Sequence, residues 1–338
     1  EQIGFRYLMK VLVVGYGSIG KRHVNNLLSY SNLEVILVTK QKSISGSNRV
    51  RIFRNLDDAI RENPDLALIT NETKFHIPVA KRLAKRGIDL FIEKPLSDSL
   101  NDMRSLEEIV KKRKLVTMVG CNFRFFPPIV NIKKLISKNE IGKIISVQVE
   151  NGSYLPDWHP YEDYRRGYAA KKKLGGGVVL TQIHELDYLR WFFGKVSEVR
   201  SLSGKFSKLE IDVDDTSASI LRFKNNIICE LHLDFFQRPQ FKRCKIRGTK
   251  GVIEWDSDSN VLKVFNSKMK EWRKVDIKNN YNLKSKNKIN LMYKEELDHF
   301  LKCVKQKKKT INPLKDAIDT LRVSLAIKRS SKFIKIKY

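Results

Sequence analysis

The chain has 338 residues, 41% of them hydrophobic, and 66 Lys+Arg against 37 Asp+Glu give it a formal net charge of +29. That length is enough for two packed domains with sizeable cores. No apolar run approaches the roughly 18 residues a bilayer span needs, so a soluble chain is expected.

The charge favours an anionic partner without naming one. The lysines come in short runs, Lys111-Lys112-Arg113-Lys114, Lys171-Lys172-Lys173 and Lys307-Lys308-Lys309. No RNP-like aromatic strand or basic zipper helix goes with them, so nucleic acid is not expected. A lysine-rich solvated surface fits the charge, and so does a phosphate-bearing small substrate or cofactor. Cys121, Cys229, Cys244 and Cys303 are scattered, which reads as free thiols in a reducing cytoplasm. The six histidines contain no HExxH pair, and no metal site is expected.

In chain order, no secretory layout precedes Met9-Lys10, and Glu1 to Leu8 read as a cloning remnant or an upstream extension. Strands are expected at Lys10–Val14, Val35–Thr39, Asp65–Thr70, Ile88–Ile92 and Leu115–Gly120. Helices alternate with them at Ser18–Leu28, His76–Arg86 and Leu100–Lys111, the last capped near Ser97 or Ser99. Buried, non-alternating strands such as VLVV and LALIT, separated by helices, predict a doubly wound parallel sheet. After Cys121 the pattern changes. A helix at Ile129–Ser137 and a strand at Lys143–Glu150 lead to an aromatic, charged loop from Asn151 to Lys173. An apolar helix follows, and then strands at Glu198–Phe206, Thr216–Phe223, Ile227–Phe235 and Phe241–Arg247 with no helices between, which implies an antiparallel or mixed sheet. Helices at Met292–Lys305 and Pro313–Ser331 close the chain.

Val11–Val14 runs into Gly15-Tyr16-Gly17-Ser18-Ile19-Gly20. A GxGxxG that follows a strand and opens a helix is the pattern of a dinucleotide-binding turn. Gly15 permits the tight turn, Gly17 lets a pyrophosphate approach the backbone, and Gly20 allows close helix–strand packing. The second strand ends Val38-Thr39-Lys40-Gln41-Lys42-Ser43, with no carboxylate from Val35 to Asn55 to hold a ribose 2′-hydroxyl. Hydroxyl and ammonium groups there suit a 2′-phosphate, so NADP is favoured over NAD.

Ile88–Ile92 ends in Glu93-Lys94-Pro95. Proline disfavours helical geometry at Lys94 and holds it extended at the carboxyl edge of the sheet, where open α/β folds bind ligands. Further on, "LGGGVVLTQIHELDYLRWFFG" (174–194) carries His184 among apolar residues. On residues alone, His184 is either a catalyst or a core histidine.

VVGYGSIG, LITNETKFHIPVA, FIEKPL and GGG followed by HELD together resemble the Gfo/Idh/MocA oxidoreductases over Met9 to Ser331. The resemblance implies a Rossmann domain over residues 1–121, a substrate and oligomerisation α/β domain with an open, mostly antiparallel sheet over 122–310, and a C-terminal helix over 311–338 packing back on the Rossmann domain. It implies a nicotinamide cofactor at the domain junction, with Lys94 and His184 as catalytic groups directed at one reactive carbon. Tyr16, Ser18, Ile19, Asn71, Glu93 and Asn122 would line the cofactor, and Arg124 would face cofactor and substrate. One position departs from the family. Many members carry an aspartate one helical turn before the histidine, where this chain has Leu180, and Asp187 is left to orient the imidazole.

The loop Tyr154–Arg166 is dense in aromatics, carboxylates and arginines. Such groups suit sugar faces, sugar hydroxyls and phosphates, and Tyr161, Asp163, Tyr164 and Arg165 are the candidate substrate contacts. The same segment resembles the nucleotide-sugar branch of the family. Its aromatics could equally pack beneath the loop or at a subunit contact. The expectation is an NAD(P)-dependent dehydrogenase of a sugar or nucleotide sugar, cytoplasmic and a homo-dimer or homo-tetramer. The alternative is a non-catalytic sensor on the same fold, motivated by Leu180.

Overall fold

The computed structural model describes residues 8–41, 49–277 and 285–329. They form two compact units. Of the described residues, one unit contains those up to Asn122 together with Asn290–Ile318, and the other those between Phe123 and Ile289 and those from Asp319 to Arg329.

In the first unit β1 (Met9–Val14), α1 (Ser18–Leu27), β2 (Leu33–Val38), β3 (Val50–Phe53), α2 (Leu56–Arg61), β4 (Leu66–Ile69), α3 (His76–Lys85), β5 (Asp89–Glu93), α4 (Met103–Arg113) and β6 (Thr117–Gly120) alternate along the chain. The six strands form one sheet in the order β3-β2-β1-β4-β5-β6, every pairing parallel. β4 and β5 are buried at every position. A strand covered on both faces has no solvent side to mark with polar residues, which is why LALI shows no alternation. The strand order reverses between β1 and β4.

The second unit holds α5 (Pro127–Ser137), β7 (Ile144–Gly152), α6 (Val178–Thr181), α7 (His184–Phe193), β8 (Val196–Gly204), β9 (Thr216–Phe223), β10 (Ile228–Asp234), β11 (Phe241–Gly248), β12 (Gly251–Asp256), β13 (Leu262–Asn266) and β14 (Glu271–Lys274). Its sheet runs β14-β13-β12-β11-β7-β10-β9-β8, antiparallel except for the β7–β10 pair. Here the strands alternate. Leu221, Phe223, Leu231, Leu233, Ile246 and Trp255 are buried on one face, while Ile220 and Ile228 lie on the exposed face. Two last helices, α8 (Lys286–Gln306) and α9 (Leu314–Arg329), end the described chain.

Several details differ from the sequence reading. Residues 290–310 belong with the first unit, and those from Asp319 with the second. Pairing explains the first assignment: Thr310 Oγ1 donates to the Thr117 carbonyl at 2.7 Å, and Val119 N donates to the Asn312 carbonyl at 2.9 Å. The second follows from Arg190, which bonds Thr320 Oγ1 at 2.7 Å and lies 3.4 Å from Asp319. β3 has four residues, and β12 to β14 place charged residues between apolar ones, so neither stood out as a strand. α4 starts at Met103 because Ser97 and Ser99 hold a turn instead, accepting from Ser99 N and Asn101 N.

The expected long helix before Gly194 is two. α6 is one turn, its first amides taken by Asp214 through Val178 N to the Asp214 carbonyl and Val179 N to Oδ2. Gln182 then leaves helical geometry (φ −96°, ψ 35°), and its Nε2 donates to the Asp234 carbonyl at 3.0 Å. α7 begins afresh at His184. The glycines ahead of α6 make room for the chain's own backbone and for Asp214. A Cβ on Gly176 would stand 2.4 Å from the Tyr168 carbonyl, and one on Gly177, at φ +106°, 2.4 Å from Asp214 Oδ1.

Two buried carboxylates fix this unit. Asp187 on α7 takes both Nε (2.7 Å) and Nη2 (2.8 Å) of Arg124, with both side chains almost fully buried. Removing one member strands the other charge. Asp187→Ala is therefore expected to lower stability by about 3–5 kcal/mol, and the double change Arg124→Met with Asp187→Leu by clearly less, in chemical denaturation. Asp215, also buried, accepts from Phe206 N, Ser207 N, Ser207 Oγ and Thr216 Oγ1 at 2.6–3.0 Å. Burial alone would push its carboxyl up, but these donors outweigh it and hold the pKa below the usual range. A depressed pKa gives stability that is present above the unfolded value and lost as pH falls through the folded one. Asp215→Asn is thus expected to cost about 1–3 kcal/mol at pH 7. The gap to wild type should narrow below about pH 4, as denaturation at both pH values would show.

Candidate active site

The glycine loop lies at the strand-order reversal of the first sheet. Gly15 has φ +104°, and a Cβ there would meet Asn71 N at 2.6 Å, while a Cβ on Gly20 would meet the Gly15 carbonyl at 2.3 Å. Gly17 is different: nothing lies within 4 Å of the position its Cβ would take. It caps α1, whose first turn carries no acidic residue and receives no side-chain cap. An open approach to unsatisfied N–H groups at the positive end of a ten-residue helix is what a pyrophosphate requires. Ser18 is exposed and Tyr16 and Ile19 half-buried. The residues fit a dinucleotide.

At the end of β2, Thr39 is buried and Lys40 exposed. Gln41 reaches back so that its Nε2 donates to the Tyr16 carbonyl at 2.8 Å. Arg54, at the end of β3, donates through Nη1 to the carbonyls of Thr39 (3.1 Å) and Gln41. Arg54 and Gln41 were not singled out from sequence, because nothing local says that residue 54 returns to residue 39. Lys42 and Ser43 lie outside the described residues.

β4, β5 and β6 are neighbours, and their carboxyl ends bring Asn71, Glu93, Lys94 and Asn122 to one edge. Asn71 Oδ1 and Asn122 Oδ1 are buried with no hydrogen-bond partner among the described residues. Buried polar atoms left unmatched point to a missing ligand group. Lys94 is half-buried, and its peptide bond to Pro95 is cis. Glu93 is 4% exposed; its Oε2 accepts from Lys94 N (3.1 Å) and its Oε1 is 2.7 Å from His23 Nε2. His76 bridges the same edge, its ring nitrogens 2.9 Å from the Asn71 carbonyl and 3.0 Å from that of Pro95. Burial pushes His76 below the ordinary histidine value, against the pull of those carbonyls.

In the second unit His184 is half-buried at the start of α7, stacked on Phe123 with ring centroids 4.8 Å apart and planes 15° from parallel. Lys242 lies 5.1 Å from the Phe123 centroid and pairs with buried Glu185 at 3.0 Å. Leu180 belongs to the separate turn of α6, so the four-residue spacing does not by itself put it on the face of His184. Asp187 and Arg124 satisfy one another. Phe123 and Lys242 were missed from sequence, since an apolar residue and a strand lysine carry no chemical signature.

The loop after β7 forms a series of 3₁₀ turns. Asp163 accepts from Arg165 N (3.0 Å) and Nε (2.8 Å), and Arg165 Nη1 reaches Glu210 at 2.7 Å. Hydrogen bonding from Arg165 holds Asp163 below the usual carboxylate range. The Tyr164 hydroxyl accepts from Glu210 N at 3.2 Å. These three form one cluster with Glu210. Tyr161 stands apart, 77% exposed, its hydroxyl 3.1 Å from His159 Nδ1. Among the described residues no group of three or more His, Cys, Asp or Glu could hold a metal, and no helix is long and apolar enough to cross a membrane.

Residues 9–121 match the profile described as oxidoreductase family, NAD-binding Rossmann fold, and residues 133–334 the profile described as oxidoreductase family, C-terminal alpha/beta domain. A levoglucosan dehydrogenase of Pseudarthrobacter phenanthrenivorans is 26% identical over 223 residues, 58% of this chain and 56% of its own length. A myo-inositol 2-dehydrogenase of Thermotoga maritima is 27% identical over 267 residues, 74% of this chain and 75% of its own. Among solved structures, a levoglucosan dehydrogenase complex with NADH superposes with a TM-score of 0.84 at 18% identity, covering 95% of this chain and 96% of that one. A UDP-N-acetylglucosamine 3-dehydrogenase from Acidithiobacillus ferrooxidans gives 0.77 at 18%, covering 95% and 97%. With both of its profiles matched over most of its length, the chain belongs to the Gfo/Idh/MocA family of oxidoreductases.

Proposed function

We propose that the chain is an NAD(P)-dependent dehydrogenase acting on a CH–OH group of a sugar, with Lys94 and His184 handling the hydroxyl proton. The observation that carries this reading is the open approach at Gly17, on the same sheet edge as Lys94 and two unmatched amide oxygens. When bound, the nicotinamide supplies the hydride acceptor. Lys94 donates a hydrogen bond to the substrate oxygen and stabilises the negative charge that grows there as the carbon loses hydride. His184 takes the hydroxyl proton, its ring held flat by Phe123 and its helix by the Arg124–Asp187 pair. Arg124 and Asp187 act here as supports, their polar groups being occupied with each other.

The substrate we favour is a nucleotide-linked sugar. What supports it is the aromatic loop after β7, with Tyr161, Arg166, Lys172 and Lys173 exposed around the Asp163–Tyr164–Arg165 cluster. The relatives named above include dehydrogenases of free sugars and inositols, so the panel that tests the reading must hold both classes. The exposed face of the second sheet, with Ile220 and Ile228, is the surface we assign to self-association.

For the cofactor we favour NADP. At the end of β2 Arg54 bonds the Thr39 carbonyl beside exposed Lys40, with no carboxylate between Val35 and Asn55, and an arginine fork suits a 2′-phosphate.

Two outcomes test these assignments. With the best substrate from a panel of free sugars, inositols and UDP-sugars, Lys94→Ala and His184→Asn should each lower kcat by about 10²–10⁴, read from nicotinamide absorbance. Full turnover by Lys94→Ala would end the mechanism. In cofactor titrations wild type should bind NADP⁺ the more tightly, and Arg54→Ala should weaken NADP⁺ by about tenfold while changing NAD⁺ little. Tighter binding of NAD⁺ by wild type would reverse the cofactor assignment.

A further inference from the structure

We infer that His23 is a positioning residue for Lys94, acting through the Glu93 carboxylate; the inference rests on the role proposed above for Lys94. His23 lies three residues after Gly20 on α1, and Glu93 is the last residue of β5. The imidazole is wholly buried, and its Nε2 is 2.7 Å from Glu93 Oε1. The other carboxylate oxygen accepts from the backbone amide of Lys94. One buried carboxylate thus has a donor on each oxygen: the helix opened by the glycine loop supplies one, and the peptide that carries Lys94 supplies the other.

The surroundings leave this arrangement little freedom. Phe91 meets the imidazole edge-on at 5.2 Å and Tyr293 at 6.0 Å, which fixes the ring plane. A Cβ on Gly120 would stand 2.8 Å from Phe91 and 3.3 Å from the Glu93 carboxyl carbon, so β6 makes room for both. His23 Nδ1 is buried without a partner among the described residues. The tautomer that loses least therefore carries its proton on Nε2, where it donates to Glu93, and leaves a lone pair rather than an N–H unmatched. A histidine kept only for packing has no need of that bond. Without the Nε2 donor, Glu93 Oε1 is a buried acceptor with nothing to accept. The carboxylate must then turn toward another donor, and its hold on the Lys94 amide weakens with it.

Three variants separate positioning from packing. His23→Phe keeps the aromatic bulk and drops the donor. His23→Gln keeps a donor near the Nε2 position. His23→Asn is polar but stops short of Glu93, and it takes the place of His23→Phe should that variant fail to fold. The donor-less variant is expected to lose about 10- to 100-fold in kcat while the cofactor KM changes little. Hydrogen exchange at the Lys94 amide, followed by mass spectrometry on the unliganded protein, should speed up by about tenfold. His23→Gln should restore both within about threefold of wild type. Unchanged exchange at Lys94 in the donor-less variant overturns the inference, and so does equal loss in His23→Gln and the donor-less variant. Failure of wild type to oxidise any sugar would sink the dehydrogenase reading alone, since the exchange experiment needs no substrate.

Discussion

At the strand-order reversal of the first sheet, two loops approach too closely for any side chain to come between them. Gly15 faces the backbone of Asn71, and Gly20 faces the carbonyl of Gly15. Thr70 closes the contact by donating to the carbonyls of Val14 and Gly15 at 3.1 and 3.0 Å. This close approach directs the start of α1 away from the sheet and sets Asn71 at the edge where Lys94 and Asn122 also emerge. The open space at Gly17 is a consequence of it. Phosphate binding here would rest on backbone geometry, leaving the surrounding side chains for the roles proposed above.

The second unit solves a different problem with ion pairs. α7 has only ten residues and must present His184 at its first position, where no preceding turn supports it. Asp187 lies three residues on and Glu185 one residue on, and both are engaged from outside the helix, by Arg124 and by Lys242. Phe123 and Arg124 are adjacent in sequence. One short segment therefore supplies both the plate against which His184 stacks and the cation that fixes its helix. Hydrogen-bonded pairs with so little exposure cost desolvation to form, and a hydrophobic staple would hold a helix as well. What they add is a fixed rotation of the helix about its axis, as the role proposed for His184 in proton transfer requires.

The first unit was legible in the sequence because its signals are local. Buried parallel strands are apolar without interruption, and Gly15, Gly17 and Gly20 form a recognisable pattern within six residues, even though the demand on Gly15 comes from Asn71. The placement of Lys94 at the sheet edge was legible because strand, carboxylate, lysine and proline are contiguous. His23, Arg54 and Lys242 were not, since each acts on residues 13 to 119 positions away and resembles any other polar residue on its own element. The broken helix before His184 was misread for a related reason. Val178–Thr181 and His184–Phe193 are both good helix formers, and the break comes from Asp214, just before β9, and from Asp234, the last residue of β10, which grip the segment from distant positions. Periodicity reports what a segment tends to form alone, and tertiary hydrogen bonds decide where it stops.

The same distinction bears on the large positive charge. Arg82 and Lys85 lie in the last turn of α3, Lys111, Lys112 and Arg113 in that of α4, and Lys328 and Arg329 in that of α9. Cations at those positions complement the negative end of the helix dipole. Lys307, from the run that follows α8, pairs with buried Asp89 at 2.7 Å. Two of the three lysine runs therefore have a use within the fold, which lowers the claim of net charge as a sign of a nucleic-acid partner. Lys40 and Arg54 differ in kind. They end no helix; Lys40 is exposed at the end of β2, and Arg54 bonds the carbonyls on either side of it, in a stretch from Val35 to Asn55 that holds no carboxylate. On the cofactor assignment proposed above, position relative to the sheet edge, more than the sum of charges, marks which cations serve a ligand.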